Sequence, residues 1–268
     1  FFFLLLLLSS FFFFFFFFFF FFFFFFYQSL LPGSPDYIAA QGPTPTTCGD
    51  FWKMVVQQHV RVLVMVTNLR EGGMVKCDRY WPDREGTLNI PQTPQGYALD
   101  ITMQSEDPKG SWVEREFLVT EYRPNNTQHS RRVRQYHFTA WPDRGVPSAP
   151  SEFLAFMHSV MAGQLKASQE SKTAGAPRCP LLVHCSAGVG RTGTFCAIYS
   201  ALNSLPYLGR PGSGVTKIDV LSLTLTMRKC RRYMIQSQPQ VRARARARAC
   251  VCVCVCVCVC VCVCVQQK

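Results

Sequence analysis

The chain has 268 residues and a net charge of +12, yet five of its positive charges lie in residues 241–268. Residues 27–240 hold 23 Lys and Arg against all 16 Asp and Glu, a net +7 that is scattered rather than clustered, which suits an acidic or phosphorylated partner and excludes a nucleic-acid-binding stripe. Of 14 Cys, eight alternate with Val between 250 and 264, and the six in the middle (48, 77, 179, 185, 196, 230) show no Cys-x-x-Cys pairing, which argues against a zinc site or disulfide framework and for a reducing compartment.

Residues 1–26 contain only Phe, Leu and Ser. The length suits a membrane span, but the segment has no charged flank and no cleavage-like site. Phe, Leu and Ser share codons made only of T and C, and Tyr27-Gln28 as TAY-CAG would resemble a splice acceptor. Residues 1–28 are therefore expected to be read-through of a pyrimidine tract. Ordinary sequence runs from 29 to 240, enough for one sizeable domain.

Within it, Thr47 can cap a helix that buries Phe51, Trp52, Val55 and Val56. Val60–Thr67 reads as a buried strand, and Val113–Val119 and Val133–Thr139 as two more. Ser151 opens a second helix burying Phe153, Leu154, Phe156, Met157, Val160, Met161 and Leu165, followed by a polar loop from Lys166 to Arg178. Leu181–Val183 is a short buried strand, Gly190–Ser204 a helix, Leu205–Gly214 a Pro/Gly-rich connection, and Ile218–Arg232 a last helix before Gln236. Strands alternating with helices predict an α/β domain with helices on both faces of the sheet. Residues 241–268 carry an Arg-Ala then Val-Cys alternation that reads in one frame as a dinucleotide repeat, and read-through is expected there too.

The chemistry is concentrated between the strand at 181–183 and the helix from 190. There Cys185-Ser186-Ala187-Gly188-Val189-Gly190-Arg191 sets a cysteine and an arginine at the two ends of a glycine-rich loop. Glycines let successive amides converge on an anion, and the following helix aims its positive end at the same place. Such surroundings lower a cysteine from about 8.5 to roughly 3.5–7.5. A structural cysteine would need neither the arginine nor the glycines.

This loop, Trp141-Pro142-Asp143, Tyr37-Ile38-Ala39-Ala40-Gln41-Gly42-Pro43, Lys76-Cys77-x-x-Tyr80-Trp81-Pro82 and Arg228-x-x-Arg231-x-x-x-x-Gln236 together resemble the classical protein tyrosine phosphatases over residues 34–240. The Val-Thr-Asn and Phe-Thr-Ala-Trp-Pro-Asp wording and Thr192 resemble the receptor-type members. The resemblance implies a twisted mixed sheet and hydrolysis of phosphotyrosine in proteins, with no cofactor and no metal. It implies Cys185 as nucleophile, Asp143 as acid then base, and Arg191 as phosphate clamp. His184 and the loop amides of Ser186, Ala187, Gly188, Val189 and Gly190 would lower the thiol pKa, and Thr192 would donate to the departing thiolate. Gln236 and Gln240 would handle the water, Glu71 would hold Arg191, and Lys76 would approach the acid loop. His59, His129, His137 and His158 are expected to be packing or surface residues. A cytosol-facing domain of a plasma-membrane receptor follows from resemblance alone. The alternatives are an inactive phosphotyrosine-binding domain and a non-functional gene-model fragment.

Three departures stand out. The family's asparagine-arginine-tyrosine recognition loop and the helix usual after Gln240 have no counterpart, and Tyr199 stands where an aspartate is usual.

Overall fold

The computed structural model describes residues 24–236 apart from 28, 84–85, 92–97, 126, 143–146, 148, 174, 176–178 and 215. The 241–268 repeat, most of the 1–28 tract, Asp143 and Gln240 lie outside them. In chain order the strands are β1 (Phe24–Tyr27), β2 (Tyr37–Gln41), β3 (Val62–Met65), β4 (Arg70–Glu71), β5 (Met74–Val75), β6 (Thr87–Ile90), β7 (Ala98–Pro108), β8 (Trp112–Tyr122), β9 (Gln128–Phe138) and β10 (Leu181–Cys185). The helices are α1 (Cys48–Gln57), α2 (Pro150–Thr173), α3 (Gly190–Ser204) and α4 (Val220–Cys230).

Eight strands form one mixed sheet in the order β1-β2-β10-β3-β9-β8-β7-β6, and β4 with β5 makes a separate hairpin. The centre is parallel: β10 lies between β2 and β3, and β3 runs parallel to β9. From β9 to β6 the chain is an antiparallel meander. Residues of β3 and β10 are buried throughout, because helices cover both faces at the centre. Tyr37, Val62, Val64, Leu181 and Val183 face Phe153, Phe156, Phe195 and Met227 of α2, α3 and α4. Their neighbours Ile38, Leu63, Met65 and Leu182 face Phe51 and Trp52 of α1 on the other side. The α/β class with helices on both faces is thus the observed one.

Several elements differ from their sequence reading. The second helix continues through Lys166 to Thr173, because Gln164, Ala167 and Ser171 keep a buried stripe going and Glu170 takes a hydrogen bond from Arg134 at 3.2 Å. Leu165 falls on the outer face, 61% exposed. Thr47 sits at the N-cap of α1 but makes no capping bond, its hydroxyl being taken up by Thr44. The last helix starts after Asp219, whose carboxylate accepts from the amides of Leu221 and Ser222. Strands β6 and β7 and the β4–β5 hairpin carry polar alternation too weak to have announced themselves, and β1 pairs antiparallel with β2 at the sheet edge.

Candidate active site

Strand β10 delivers Cys185 to the end of the parallel core, and α3 begins five residues later. The loop between them is tied down from outside. Gly42 N–H donates to the Ser186 carbonyl at 2.9 Å, Arg231 Nη2 to the Ala187 carbonyl at 3.0 Å, and Ile235 N–H to the Val189 carbonyl at 3.2 Å. In a planar trans peptide the N–H points opposite to the carbonyl. Holding these three carbonyls outward therefore turns the amides of Ala187, Gly188 and Gly190 inward. The Gly188 amide does reach the Cys185 Sγ, at 3.3 Å.

Gly188 adopts φ 69°, and a Cβ there would lie closer than 3.0 Å to the Ala40 carbonyl. Gly42 is similarly pressed, with Cys77 and the Cys185 carbonyl each 2.9 Å from where its Cβ would be. These two glycines let the loop lie directly on the strand that carries Ala39-Ala40-Gln41.

Arg191 enters from the first turn of α3. Its Nη1 and Nη2 donate to the two carboxylate oxygens of Glu71 at 2.6 and 2.8 Å, a bidentate pair. Nη1 also reaches Thr67 Oγ1 at 3.1 Å, and Nη2 the Pro142 carbonyl at 3.2 Å. Glu71 is buried on the hairpin and accepts further bonds from the Asn68 amide and the Thr67 hydroxyl. Burial would raise its carboxyl pKa, but Arg191, the Asn68 amide and Thr67 together hold it below its ordinary value. These bonds fix the guanidinium in plane, with both terminal nitrogens turned to Glu71.

His184 is fully buried, and desolvation depresses its pKa to about 3. It is uncharged at neutral pH, so its expected influence on the thiol is not that of a cation. Its contribution is geometric: Nε2 contacts Tyr80 Oη at 2.7 Å and Nδ1 faces the Cys185 carbonyl at 3.3 Å. Cys185 itself is nearly buried, 5% exposed. Thr192 is fully buried, and its hydroxyl has no hydrogen-bond partner among the described residues. An unsatisfied buried hydroxyl costs about 1–3 kcal/mol.

Other expected site residues are placed less closely. Gln236 is exposed, directly after Ile235, whose amide is tied to the loop. Lys76 is half-buried and its backbone amide donates to the Leu69 carbonyl. Asp143 and Gln240 lie outside the described residues, but Trp141 just before Asp143 is buried edge-on against Phe153 at 5.2 Å.

Four polar residues around the site had no functional reading from sequence. Thr67 joins Arg191 to Glu71, Tyr80 supports His184, Gln135 donates to Tyr80 Oη at 2.7 Å, and buried His137 contacts the Thr67 carbonyl at 2.8 Å. Gln135 and His137 sit in β9 on a stretch buried at every position, where polar side chains are the anomaly that could have flagged them.

No helix among the described residues is long and apolar enough to cross a membrane. A family model described as protein-tyrosine phosphatase matches residues 27–249. The chain is similar to receptor-type tyrosine-protein phosphatase S of Gallus gallus, 38% identical over 202 residues, which cover 75% of this chain and 12% of that protein. It is also similar to receptor-type tyrosine-protein phosphatase H of Homo sapiens, 39% identical over 212 residues, 78% of this chain and 17% of the relative. Receptor-type tyrosine-protein phosphatase V of Rattus norvegicus matches at 38% over 212 residues, 78% of this chain and 11% of its own length. The chain thus spans between 11% and 17% of these relatives.

Proposed function

The chain belongs to the protein-tyrosine phosphatase family, and from that premise we propose that residues 29–240 hydrolyse phosphotyrosine in proteins through a cysteinyl-phosphate intermediate. The observation that carries this reading is the loop itself, in which the Gly188 amide reaches Cys185 Sγ and Arg191 is held in a bidentate pair with Glu71.

In the first step the Cys185 thiolate attacks phosphorus and the bond from phosphorus to the tyrosyl oxygen breaks. Asp143 gives its proton to that oxygen, so tyrosine leaves neutral. The phosphoryl oxygens, carrying two negative charges, lie among the loop amides of residues 186–190, the N-terminus of α3 and the Arg191 fork. In the second step water attacks the cysteinyl phosphate, Asp143 takes its proton, and the sulfur–phosphorus bond breaks to release inorganic phosphate. Gln236, with Gln240, orients the water. The Thr192 hydroxyl donates to the departing thiolate, a role for which an otherwise unpartnered donor is suited. Glu71 keeps Arg191 in plane, and Lys76 is assigned to the acid loop by family resemblance.

The three named relatives support a receptor-type protein whose catalytic part faces the cytosol, and membrane association rests on them alone. Retention of Asp143 and Gln236 favours turnover over simple phosphotyrosine binding. The test is rapid-quench kinetics on a 32P-labelled phosphotyrosine peptide. The expected result is label trapped on Cys185, no turnover in Cys185→Ser, and kcat lower by about 10²–10⁴ in Asp143→Ala. Turnover unchanged in both variants would sink the mechanism.

A further inference from the structure

Away from the loop, Arg115 on β8 touches buried His137 directly and reaches buried His184 through Gln135 and Tyr80. We propose that Arg115 is a positioning residue that sets which nitrogen of each histidine carries the proton, Nδ1 in His184 and Nε2 in His137, and so orients the nucleophile and the phosphate clamp from behind the sheet. Its catalytic meaning rests on the reading of Cys185 and Arg191 given above, whereas the proton placement does not.

A guanidinium can only donate. Arg115, with its side chain 9% exposed, is anchored at Nε by Glu106 at 2.5 Å and lies 4.7 Å over the Trp81 ring. Its Nη1 reaches Gln135 Oε1 at 2.9 Å, across the β8–β9 pair in which the two residues are direct partners, and His137 Nδ1 at 3.4 Å. Each contact has a forced sense.

Gln135 must show its oxygen to Arg115, so its amide nitrogen faces Tyr80 and donates to Oη at 2.7 Å. Tyr80 then has one proton to give, and it goes to His184 Nε2 at 2.7 Å rather than to the weaker acceptor Met65 Sδ at 3.9 Å. A neutral ring has a single N–H. Since Nε2 accepts, the proton of His184 sits on Nδ1 and points at the Cys185 carbonyl at 3.3 Å. Were the Gln135 amide reversed, Tyr80 would donate to it instead. His184 would need its proton on Nε2, and two lone pairs would then face each other at Cys185.

The second branch also donates away from Arg115 but enters its ring at the other nitrogen. His137 accepts at Nδ1, so its proton is on Nε2 and is donated to the Thr67 carbonyl at 2.8 Å. Thr67 in turn donates its hydroxyl to Glu71 Oε1 and accepts from Arg191 Nη1, both at 3.1 Å. Gln135, Tyr80 and His184 are fully buried and His137 is 5% exposed, so water is not available to substitute for a missing partner. One cation thus polarises two hydrogen-bonded lines that both donate away from it and leave the protons on opposite nitrogens of the two rings.

The test is long-range 1H–15N correlation of the imidazoles in the 268-residue chain, which has five histidines. The parent should show His184 protonated at Nδ1 and His137 at Nε2. Gln135→Glu keeps the contact with Arg115 but offers Tyr80 only oxygens, so the His184 proton should move to Nε2. In that variant kcat on a phosphotyrosine peptide should fall by about ten- to a hundredfold, the range seen when the outer-shell partners of metal-ligating histidines are removed, with KM little changed. Arg115→Met, which keeps the packing on Trp81, should give mixed tautomers at both rings and serves if the buried carboxylate prevents folding. His184 still protonated at Nδ1 in Gln135→Glu, or both rings unchanged in Arg115→Met, would overturn the proposal. A parent without phosphatase activity but with the expected tautomers would sink only the reading it rests on.

Discussion

Replacing Gly188 by alanine separates two costs that the loop geometry makes additive. The residue sits at φ 69°, where an L side chain costs about 1–2 kcal/mol. Its new methyl would also press on backbone, the Ala40 carbonyl and the Gln41 nitrogen at 2.7 Å, neither of which can rotate away. Overpacking of that kind costs about 1–3 kcal/mol. Together the loss is about 2–5 kcal/mol, a large part of a domain's usual 5–15 kcal/mol. The loop can escape the clash by flipping its peptide, but the Gly188 N–H would then leave Cys185 Sγ. Gly209 provides the control, having φ 70° with open space where its Cβ would be, so Gly209→Ala should cost only the backbone part. Urea unfolding and the iodoacetamide rate at Cys185, taken against Cys185→Ser, read out the two routes. Gly188→Ala should lose at least about 1 kcal/mol more than Gly209→Ala, or alkylate more slowly at neutral pH. Equal unfolding in the two glycine variants together with an unchanged alkylation rate would refute the reasoning.

Glu71→Gln should destabilise by about 2–3 kcal/mol, less than the 3–5 of a stripped buried pair, because Arg191 keeps Thr67, Val66 and Pro142 as acceptors. In the same variant KM for a phosphotyrosine peptide should rise as the guanidinium loses its plane, and an unchanged KM would count against the clamp. Stability should also fall on acidification below about pH 6.5. Folded His137 and His184 resist protonation down to about 4 and about 3, whereas their unfolded rings take protons up from about 6.5 downward. The unfolded state thus binds more protons in that window, and each ring adds up to about 1.4 kcal/mol of loss per pH unit. Depression of the Glu71 carboxyl adds a further loss below its ordinary value of 4.5. The urea midpoint measured from pH 7.5 to 5 should show this slope in the parent and a shallower one in His137→Asn, and parallel slopes would contradict it.

The parallel core was legible because β3 and β10 are buried on both faces and are apolar at every position but His184. The loop was legible because glycine at 188 and arginine at 191 have few other uses between a strand and a helix. Glu71 was a weaker inference, since an acid beside Gly72-Gly73 looks like any surface turn until the hairpin folds it onto Arg191. The second helix was cut short at Lys166 because its later buried stripe is made of Gln, Ala and Ser, which carry no apolar period. Tyr80, Gln135 and His137 were invisible as a group. Their association depends on β9 lying next to β3 and on β10 entering between β2 and β3, which no local pattern encodes.

The ties that hold the loop come from both ends of the domain: Gly42 before it, and Arg231 and Ile235 after it, Arg231 lying 44 residues beyond Ala187. Contacts so distant along the chain cannot form until the loop-closure entropy between their partners has been met. A growing polypeptide that has already extruded Cys185 therefore still lacks the groups that turn its amides inward. The Gly188 amide would take its place at Cys185 Sγ only once residue 235 has docked, so the loop geometry belongs to the finished domain and not to the segment that carries it.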